Sequence, residues 1–198
     1  RQGILTSGKH FPGHGDTAKD SHKTLPTVGF DRSRLEKTQM YPFKKAIEQG
    51  LSSVMTAHLN VPALTLSDEP TSLSHALVTQ LLKQNIGFNG LAVTDALNMK
   101  GAEPNNPDLN MDLLALLAGN DVLLISKDIP LGVEKIKMAY HNLPTVKGRV
   151  EDSVKKILKA KYKAGLARKN TVDTKNLYAR LNTRLLYTSY AADDLHCV

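Results

Sequence analysis

Short apolar runs alternate with amphipathic segments along most of this sequence. The apolar runs predict four strands, at Gly3–Ser7, Ser53–Ala57, Leu91–Thr94 and Val122–Ile125. Apolar residues at helical spacing, often followed by glycine, predict helices at Leu35–Gln49, Ser74–Gln84, Met111–Ala118, Pro130–Tyr140 and Arg149–Ala164. Strands that alternate with helices are typical of βαβ units, so the pattern predicts an α/β fold around a parallel sheet. Strands apolar throughout predict a sheet buried on both faces.

The pattern fits two architectures, a doubly wound open sheet and a (β/α)₈ barrel. Four βα units make half of a barrel, and a complete barrel takes about 250 residues. The chain has 198 residues. The periodicity alone leaves both architectures open.

Composition and charge exclude some classes of partner. Hydrophobic residues make up 41% and charged residues 23%, which is ordinary for a globular protein. No apolar run approaches the roughly 20 residues of a membrane helix. Much of the net charge of +7 falls in residues 147–169, where lysines alternate with apolar positions at helical spacing and form a solvated face. We therefore expect no nucleic-acid partner.

Cys197 is the single cysteine, so no internal disulfide forms.

Polar side chains follow three of the predicted strands. Lys9 and His10 come after the first strand, His58 after the second and Asp95 after the third. Ligands in parallel α/β folds bind beyond the carboxyl ends of the strands. The three strand ends therefore predict one site.

The loop from residue 9 to residue 22 carries three of the seven histidines. It could bind a metal ion through His10, His14, Asp16 and His22. It could instead perform acid–base chemistry, or be a solvated polar loop. Its glycines could cradle phosphate, but the Lys-Ser/Thr ending of a phosphate-binding loop is missing.

The spacing of Asp20 and His22 favours acid–base chemistry. Residues two apart in an extended segment project to the same side, so Asp20 could orient the His22 ring and stabilise its protonated form. Asp95 emerges from a buried strand as a second reactive carboxylate, or it caps the following turn. Met99 could contact a sugar or serve only in packing.

The motifs KHFPGHGDT…DSH at residues 9–22 and GLAVTDALNMKGA at residues 90–102 resemble family-three glycoside hydrolases of the β-N-acetylhexosaminidase branch. The resemblance covers about residues 3–164, with a looser match at 176–183. It implies the C-terminal half of a (β/α)₈ barrel, truncated at the N-terminus. Strands one to four and a substrate-binding arginine would precede residue 1.

The resemblance also implies roles for individual residues. Asp95 corresponds to the catalytic nucleophile, His22 to the acid/base and Asp20 to its partner. Lys9 and His10 correspond to residues that hydrogen-bond sugar hydroxyls, and we keep His14, His58 and Met99 as further candidates. The implied substrate is a glycan with terminal β-linked N-acetylglucosamine, often a peptidoglycan fragment, and no metal or cofactor is expected.

We expect residues 1–166 to form the partial barrel, 167–183 to lead toward a further C-terminal domain, and 184–198 to be a non-native tail. Alternative functions are a β-glucosidase-type relative, a phosphorolytic relative, and a metal-dependent hydrolase that uses His10, His14 and His22. A catalytically inactive sugar-binding relative is a further alternative, against which the intact Asp20, His22 and Asp95 argue. The localisation, in the bacterial cytoplasm, the periplasm or outside the cell, is not decided by the sequence.

Overall fold

The structure, a computed structural model, describes residues 4–14, 17, 21, 23–65, 68–104, 106, 108–168 and 174–181. The chain divides into two compact units, Arg1–Ala164 and Gly165–Val198. The expected tail at 184–198 lies outside the described residues. Within them, no helix combines the length and the apolar character needed to cross a membrane.

A parallel three-stranded sheet forms the centre of the first unit. Its strands are β1 (Ser7–Phe11), β2 (Ser53–Thr56) and β3 (Leu91–Thr94), in the order β1-β2-β3. Val54 pairs with Ala92 across β2 and β3, and the register between β1 and β2 shifts after Gly8. The predicted α/β class with a parallel sheet is confirmed.

Helices lie between successive strands and follow β3 along the rest of the described chain. They are α1 (Arg32–Arg34), a wider π-type turn at Leu35–Gln39, α2 (Tyr41–Glu48), a π-type helix at Ala76–Asn85, α3 (Met111–Ala118), α4 (Ile129–Asn142), α5 (Pro144–Lys163) and α6 (Leu177–Leu181). Single 3₁₀ turns lie at Thr71–Leu73 and Lys100–Ala102. The side chains of Asn110 and Asp128 cap α3 and α4 by accepting from backbone N–H groups of the first turn. Pro144 starts α5 earlier than predicted, because proline fits the first turn of a helix.

The prediction for the first strand was wrong in position. The strand runs over Ser7–Phe11 rather than Gly3–Ser7, so Lys9 and His10 lie within it. Phe11 is fully buried and contacts Phe43 edge-on, with ring centroids 5.4 Å apart, whereas Ile4 is 79% exposed. The apolar anchor of the strand is therefore Phe11, which lies beyond the apolar run that suggested the strand.

The fourth predicted strand, Val122–Ile125, does not form a continuous ladder. A single bridge joins Val122 to Val93, and the Thr94 hydroxyl accepts from the N–H of Leu124 at 2.9 Å. Ile125 has a positive φ of 45°, which no regular strand allows. Backbone hydrogen bonds from Val122 to Ala92 and from Thr94 to Val122 hold the segment along the edge of β3. The regular ladder ends after them, where a side-chain acceptor and a left-handed residue follow.

Helices cover one face of the sheet in the described part of the chain. Val54, Thr56, Ala92 and Thr94 are fully buried on that face. Val54 packs in a cluster with Leu77 and Leu82, among other residues. On the other face, Met55 and Val93 are only partly buried. The expected burial on both faces is therefore not observed among these residues.

A buried carboxylate joins β3 to the helices. The Asp121 side chain accepts from the N–H of Ala92 at 3.0 Å and from Ser153 Oγ at 3.0 Å. Three cations surround it: Arg149 in direct contact, Lys83 at 3.4 Å and Lys156 at 3.6 Å. Burial alone would raise the pKa of Asp121, but these partners outweigh it and hold the pKa below its usual value. Burial lowers the pKa of Lys83 to about 8.

Candidate active site

The residues predicted at the strand ends meet at the carboxyl edge of the sheet. His10 lies in β1, His58 follows β2 and Asp95 directly follows β3. The N–H of Asp95 donates to the carbonyl of Thr56 at 2.9 Å, which joins the end of β3 to the end of β2. Nε2 of His10 lies 3.7 Å from Oδ2 of Asp95. The two side chains therefore share one open edge.

Three influences lower the pKa of His10 below its ordinary value of 6.5. Burial is the largest, and the positive charge of Lys9 and the neighbouring His14 act in the same direction, while the Asp95 carboxylate opposes them. His10 is therefore mostly neutral near pH 7. A neutral imidazole has one N–H donor and one acceptor nitrogen, which suits contacts with hydroxyl groups.

The two oxygens of Asp95 have different surroundings. Oδ1 accepts from the N–H of Ala96 at 2.8 Å, which is the local bond expected if Asp95 caps the turn. Oδ2 faces His10, and the side chain is 18% exposed. The cap and a reactive role are compatible, because one oxygen is held by the backbone while the other stays accessible.

The His14 side chain contacts two other residues of the loop at residues 9–22. Its Nδ1 lies 2.6 Å from Thr17 Oγ1 and its Nε2 lies 3.2 Å from Ser21 Oγ. The carbonyl of Ser21 accepts from the N–H of Gly101 at 3.1 Å. A Cβ at Gly101 would lie 2.7 Å from that carbonyl, so only glycine fits this contact. The Lys9–His22 loop is thereby joined to the segment that follows β3.

Part of the predicted site cannot be placed. Asp16, Asp20 and His22 lie outside the described residues. Within the part of the chain that is described, no group of three His, Cys, Asp or Glu side chains could hold a metal ion. Two of the proposed metal ligands, Asp16 and His22, belong to the undescribed positions.

Two further candidate residues, His58 and Met99, are buried. His58 is fully buried: its Nδ1 lies 2.7 Å from Ser72 Oγ and its Nε2 lies 3.0 Å from the Ala96 carbonyl. Burial lowers the pKa of His58 below 6.5. Met99 is 6% exposed, which favours packing over a sugar contact. His58 therefore cannot touch a substrate in this arrangement, although it lies directly behind the turn that carries Asp95.

Sequence reasoning missed the polar residues beneath the site. Ser72 and Asn120 are fully buried and hydrogen-bonded to each other, the Asn120 side chain donating to the Ser72 carbonyl at 2.7 Å. The one available signal was Thr56, a polar residue within the predicted buried strand Ser53–Ala57.

Two cavities of the first unit are lined by residues other than His10 and Asp95. One of about 370 Å³ lies near Gly90 and Lys156, at the amino edge of the sheet. Another of about 460 Å³ lies near Glu103 and Lys127, in the loops after β3. The His10 and Asp95 side chains are 29% and 18% exposed at the carboxyl edge.

The chain is an α/β protein with a parallel sheet, and a carboxylate and a neutral histidine lie at the carboxyl edge of that sheet. These two groups are suited to acid–base and nucleophilic chemistry. Residues 1–160 match the family model described as the glycosyl hydrolase family 3 N-terminal domain. The chain belongs to this family.

The chain is similar to several proteins that are named for activities on glycosides. The chain is 37% identical to beta-hexosaminidase A of Pseudoalteromonas piscicida over 134 residues, which cover 62% of this chain and 22% of that protein. A family 3 β-N-acetylglucosaminidase from Paenibacillus sp. strain FPU-7 has a similar structure, with a TM-score of 0.79 and 33% identity, covering 86% of this chain and 33% of that one. The β-glucoside phosphorylase BglX aligns with a TM-score of 0.85 and 25% identity, covering 93% and 35%. The chain thus spans about a fifth to a third of the length of these relatives.

Proposed function

We propose that this chain forms part of a retaining β-N-acetylhexosaminidase that removes terminal β-linked N-acetylglucosamine. The observation that carries the proposal is the position of Asp95, at the carboxyl edge of the sheet with one oxygen facing His10. Membership of family 3 and the resemblance to named hexosaminidases support the same activity.

In the first step, Oδ2 of Asp95 attacks the anomeric carbon of the sugar. The bond from that carbon to the glycosidic oxygen breaks, and protonated His22 gives its proton to the leaving oxygen. A covalent glycosyl-enzyme forms. Asp20, two residues from His22, stabilises the protonated ring before transfer.

In the second step, neutral His22 removes a proton from water. The water oxygen attacks the anomeric carbon and the ester bond to Asp95 breaks, which regenerates the carboxylate. Two displacements at one carbon retain its configuration, as in retaining enzymes that use two carboxyl groups. Here a His–Asp pair replaces one of those groups.

His10 and Lys9 bind sugar hydroxyls in this proposal. The lowered pKa of His10 keeps its ring neutral, so it donates one hydrogen bond and accepts another. Lys9 is exposed in the same strand and brings a positive donor to the edge. Neither residue takes part in bond breaking.

The open edge and the open sheet face both fit a larger catalytic barrel. We propose that residues 1–166 supply its last four βα units, and that the preceding half covers Met55 and Val93, which are partly exposed here. Residues 167–183 would lead to a further domain, and 184–198 would be a non-native tail. The added half would also supply walls around Asp95 and the substrate-binding arginine.

The glycan we favour is a peptidoglycan fragment in which N-acetylglucosamine is linked to anhydro-N-acetylmuramic acid. Phosphorolysis is a second candidate, because the chain aligns over 93% of its length with a β-glucoside phosphorylase. A neutral histidine does not repel phosphate as a carboxylate would. Product analysis with and without phosphate separates the two reactions: the glycosyl phosphate appears only in phosphorolysis.

The deciding experiment traps the intermediate in the intact enzyme that contains this chain. A 5-fluoro derivative of N-acetylglucosaminyl fluoride is expected to form the glycosyl-enzyme quickly and release it slowly. Peptide mass spectrometry should locate the sugar on Asp95, and Asp95→Asn should remain unlabelled. A label on another carboxylate, or activity abolished by a chelator with no label, would overturn the proposal.

A further inference from the structure

Four polar side chains lie buried directly beneath Asp95. Thr56, His58, Ser72 and Asn120 all have 0% exposure. Buried polar groups are costly unless they are hydrogen-bonded, and each of these four is bonded to another member of the set or to nearby backbone. The set is a continuous network from helix α3 to the turn that carries Asp95.

The partners of His58 determine which ring nitrogen carries the proton. The carbonyl of Ala96 can only accept, so Nε2, at 3.0 Å, must carry a hydrogen. In the neutral ring Nδ1 is then the acceptor, and the Ser72 hydroxyl donates to it at 2.7 Å. Burial favours the neutral form. His58 is therefore a fixed donor aimed at the Ala96 carbonyl.

Ala96 is held at both ends. Its carbonyl accepts from His58, and its N–H donates to Oδ1 of Asp95 at 2.8 Å. Fixing the carbonyl restricts the rotation of this residue, and with it the direction of the N–H that holds the carboxylate. A change at His58 should therefore turn the carboxylate of Asp95 without touching it.

The rest of the network holds Ser72 in place. Asn120 donates to the Ser72 carbonyl at 2.7 Å and to the Ala115 carbonyl in α3 at 2.8 Å. Its Oδ1 accepts from Thr56 Oγ1 at 2.9 Å. Thr56 also accepts from the N–H of Asp95 through its carbonyl, at 2.9 Å. The support behind Asp95 thus comes from β2 and from α3 together.

We propose that His58 is a positioning residue for the nucleophile: its Nε2–H fixes Ala96, so that the Ala96 N–H holds Oδ1 of Asp95 and leaves Oδ2 aimed at the anomeric carbon. This inference rests on the proposed role of Asp95. It assigns His58 a function although the side chain contacts no substrate.

A matched pair of substitutions tests the inference in the intact enzyme. In His58→Gln the amide nitrogen reaches the position of Nε2 and keeps the donor to Ala96. In His58→Asn the shorter amide reaches the position of Nδ1 and keeps only the contact with Ser72. Both variants leave an amide in the same buried space and should lose similar stability.

The assay uses an aryl N-acetylglucosaminide with a good leaving group, so that protonation does not limit the first step. We expect His58→Asn to lose about 10- to 100-fold in kcat, the scale of a displaced catalytic group, and His58→Gln to stay within about fivefold of the wild type. The inhibition constant for N-acetylglucosamine should change less than about twofold in both, because sugar binding does not use His58. Equal losses in the two variants, in proportion to their Tm, would make His58 a purely structural residue.

A measurement on the unsubstituted enzyme keeps the inference testable if the variants do not fold. Nitrogen-15 NMR of labelled histidine should find one slowly exchanging ring with its proton on Nε2 and none on Nδ1 at pH 7. A buried ring protonated on Nδ1 would overturn the inference. Failure of the proposed function looks different: Asp95→Ala would then keep its activity, whatever the His58 variants do.

Discussion

Nε2 of His10 lies 3.7 Å from Oδ2 of Asp95, although His10 belongs to β1 and Asp95 follows β3, and these two strands are not neighbours. Adjacent strands lie about 4.8 Å apart, so β1 and β3 are separated by roughly twice that distance with β2 between them. The side chains converge over the end of β2, where the chain continues into Ala57 and the buried His58. This convergence makes one site from three strand ends.

Replacing Asp95 with alanine should abolish turnover of an aryl N-acetylglucosaminide in the intact enzyme. The side chain is partly exposed, so little stability should be lost. The measurement is kcat together with Tm. A variant that keeps more than about a tenth of the wild-type rate would remove Asp95 from the role of nucleophile.

Replacing His22 with alanine should slow substrates with poor leaving groups far more than activated aryl glycosides, because only the former need a proton. The hydrolysis of the glycosyl-enzyme should slow for all of them. Pre-steady-state rates across a leaving-group series test this. Equal losses in the first step across the series would count against His22 as the acid.

Lowering the pH below about 6.5 should destabilise the enzyme through His58. The pKa of His58 in the folded protein lies below 6.5. Between the two pKa values the unfolded chain binds a proton that the folded chain does not, so the free energy of unfolding decreases as the pH is lowered. Well above pH 6.5 both states are neutral and the effect disappears. Urea unfolding at pH 7.5 and 5.5 should give a smaller difference for His58→Gln than for the wild type. An unchanged difference would contradict the assigned shift.

Replacing Asp121 with asparagine should cost about 3 kcal/mol of unfolding free energy, since it leaves three cations around a buried neutral group. The matched control is Glu103→Gln, which breaks the exposed pair with Lys127 and should change little. Chemical denaturation of both variants checks this. Equal effects of the two substitutions would mean that the buried network contributes no more than a surface pair.

Polar substitutions on the partly exposed sheet face should benefit residues 1–198 on their own but destabilise the intact enzyme. Met55→Gln and Val93→Thr should improve the solubility of residues 1–198, which we expect to aggregate alone and to be inactive, because this apolar face is partly exposed. In a closed barrel the same positions face the packed interior, and the substitutions should destabilise it. A soluble, cooperatively melting, active monomer of residues 1–198 would refute the half-barrel.

The order of the elements could be predicted from the sequence because periodicity is a local property. Apolar runs located β2 and β3, and the polar residues after them located Asp95 and the carboxyl edge. His10 was expected at that edge for the same reason. The motifs at residues 9–22 and 90–102 identified the family, because several glycines and reactive residues occur there in a fixed order.

Other features depended on contacts between distant segments, which periodicity does not contain. Only the packing of Phe11 against Phe43 shows where β1 begins and ends. The Thr94 hydroxyl bonded to Leu124 and the positive φ of Ile125 mark the point where the fourth predicted strand is interrupted. His58 looked like a candidate for substrate contact, but its partners Ser72 and Ala96 lie 14 and 38 residues away. The sequence by itself therefore determined the type of fold and the candidate carboxylate at the end of β3, whereas the tertiary structure decided which polar residues lie at the open edge and which are buried behind it, because burial is decided by the whole chain.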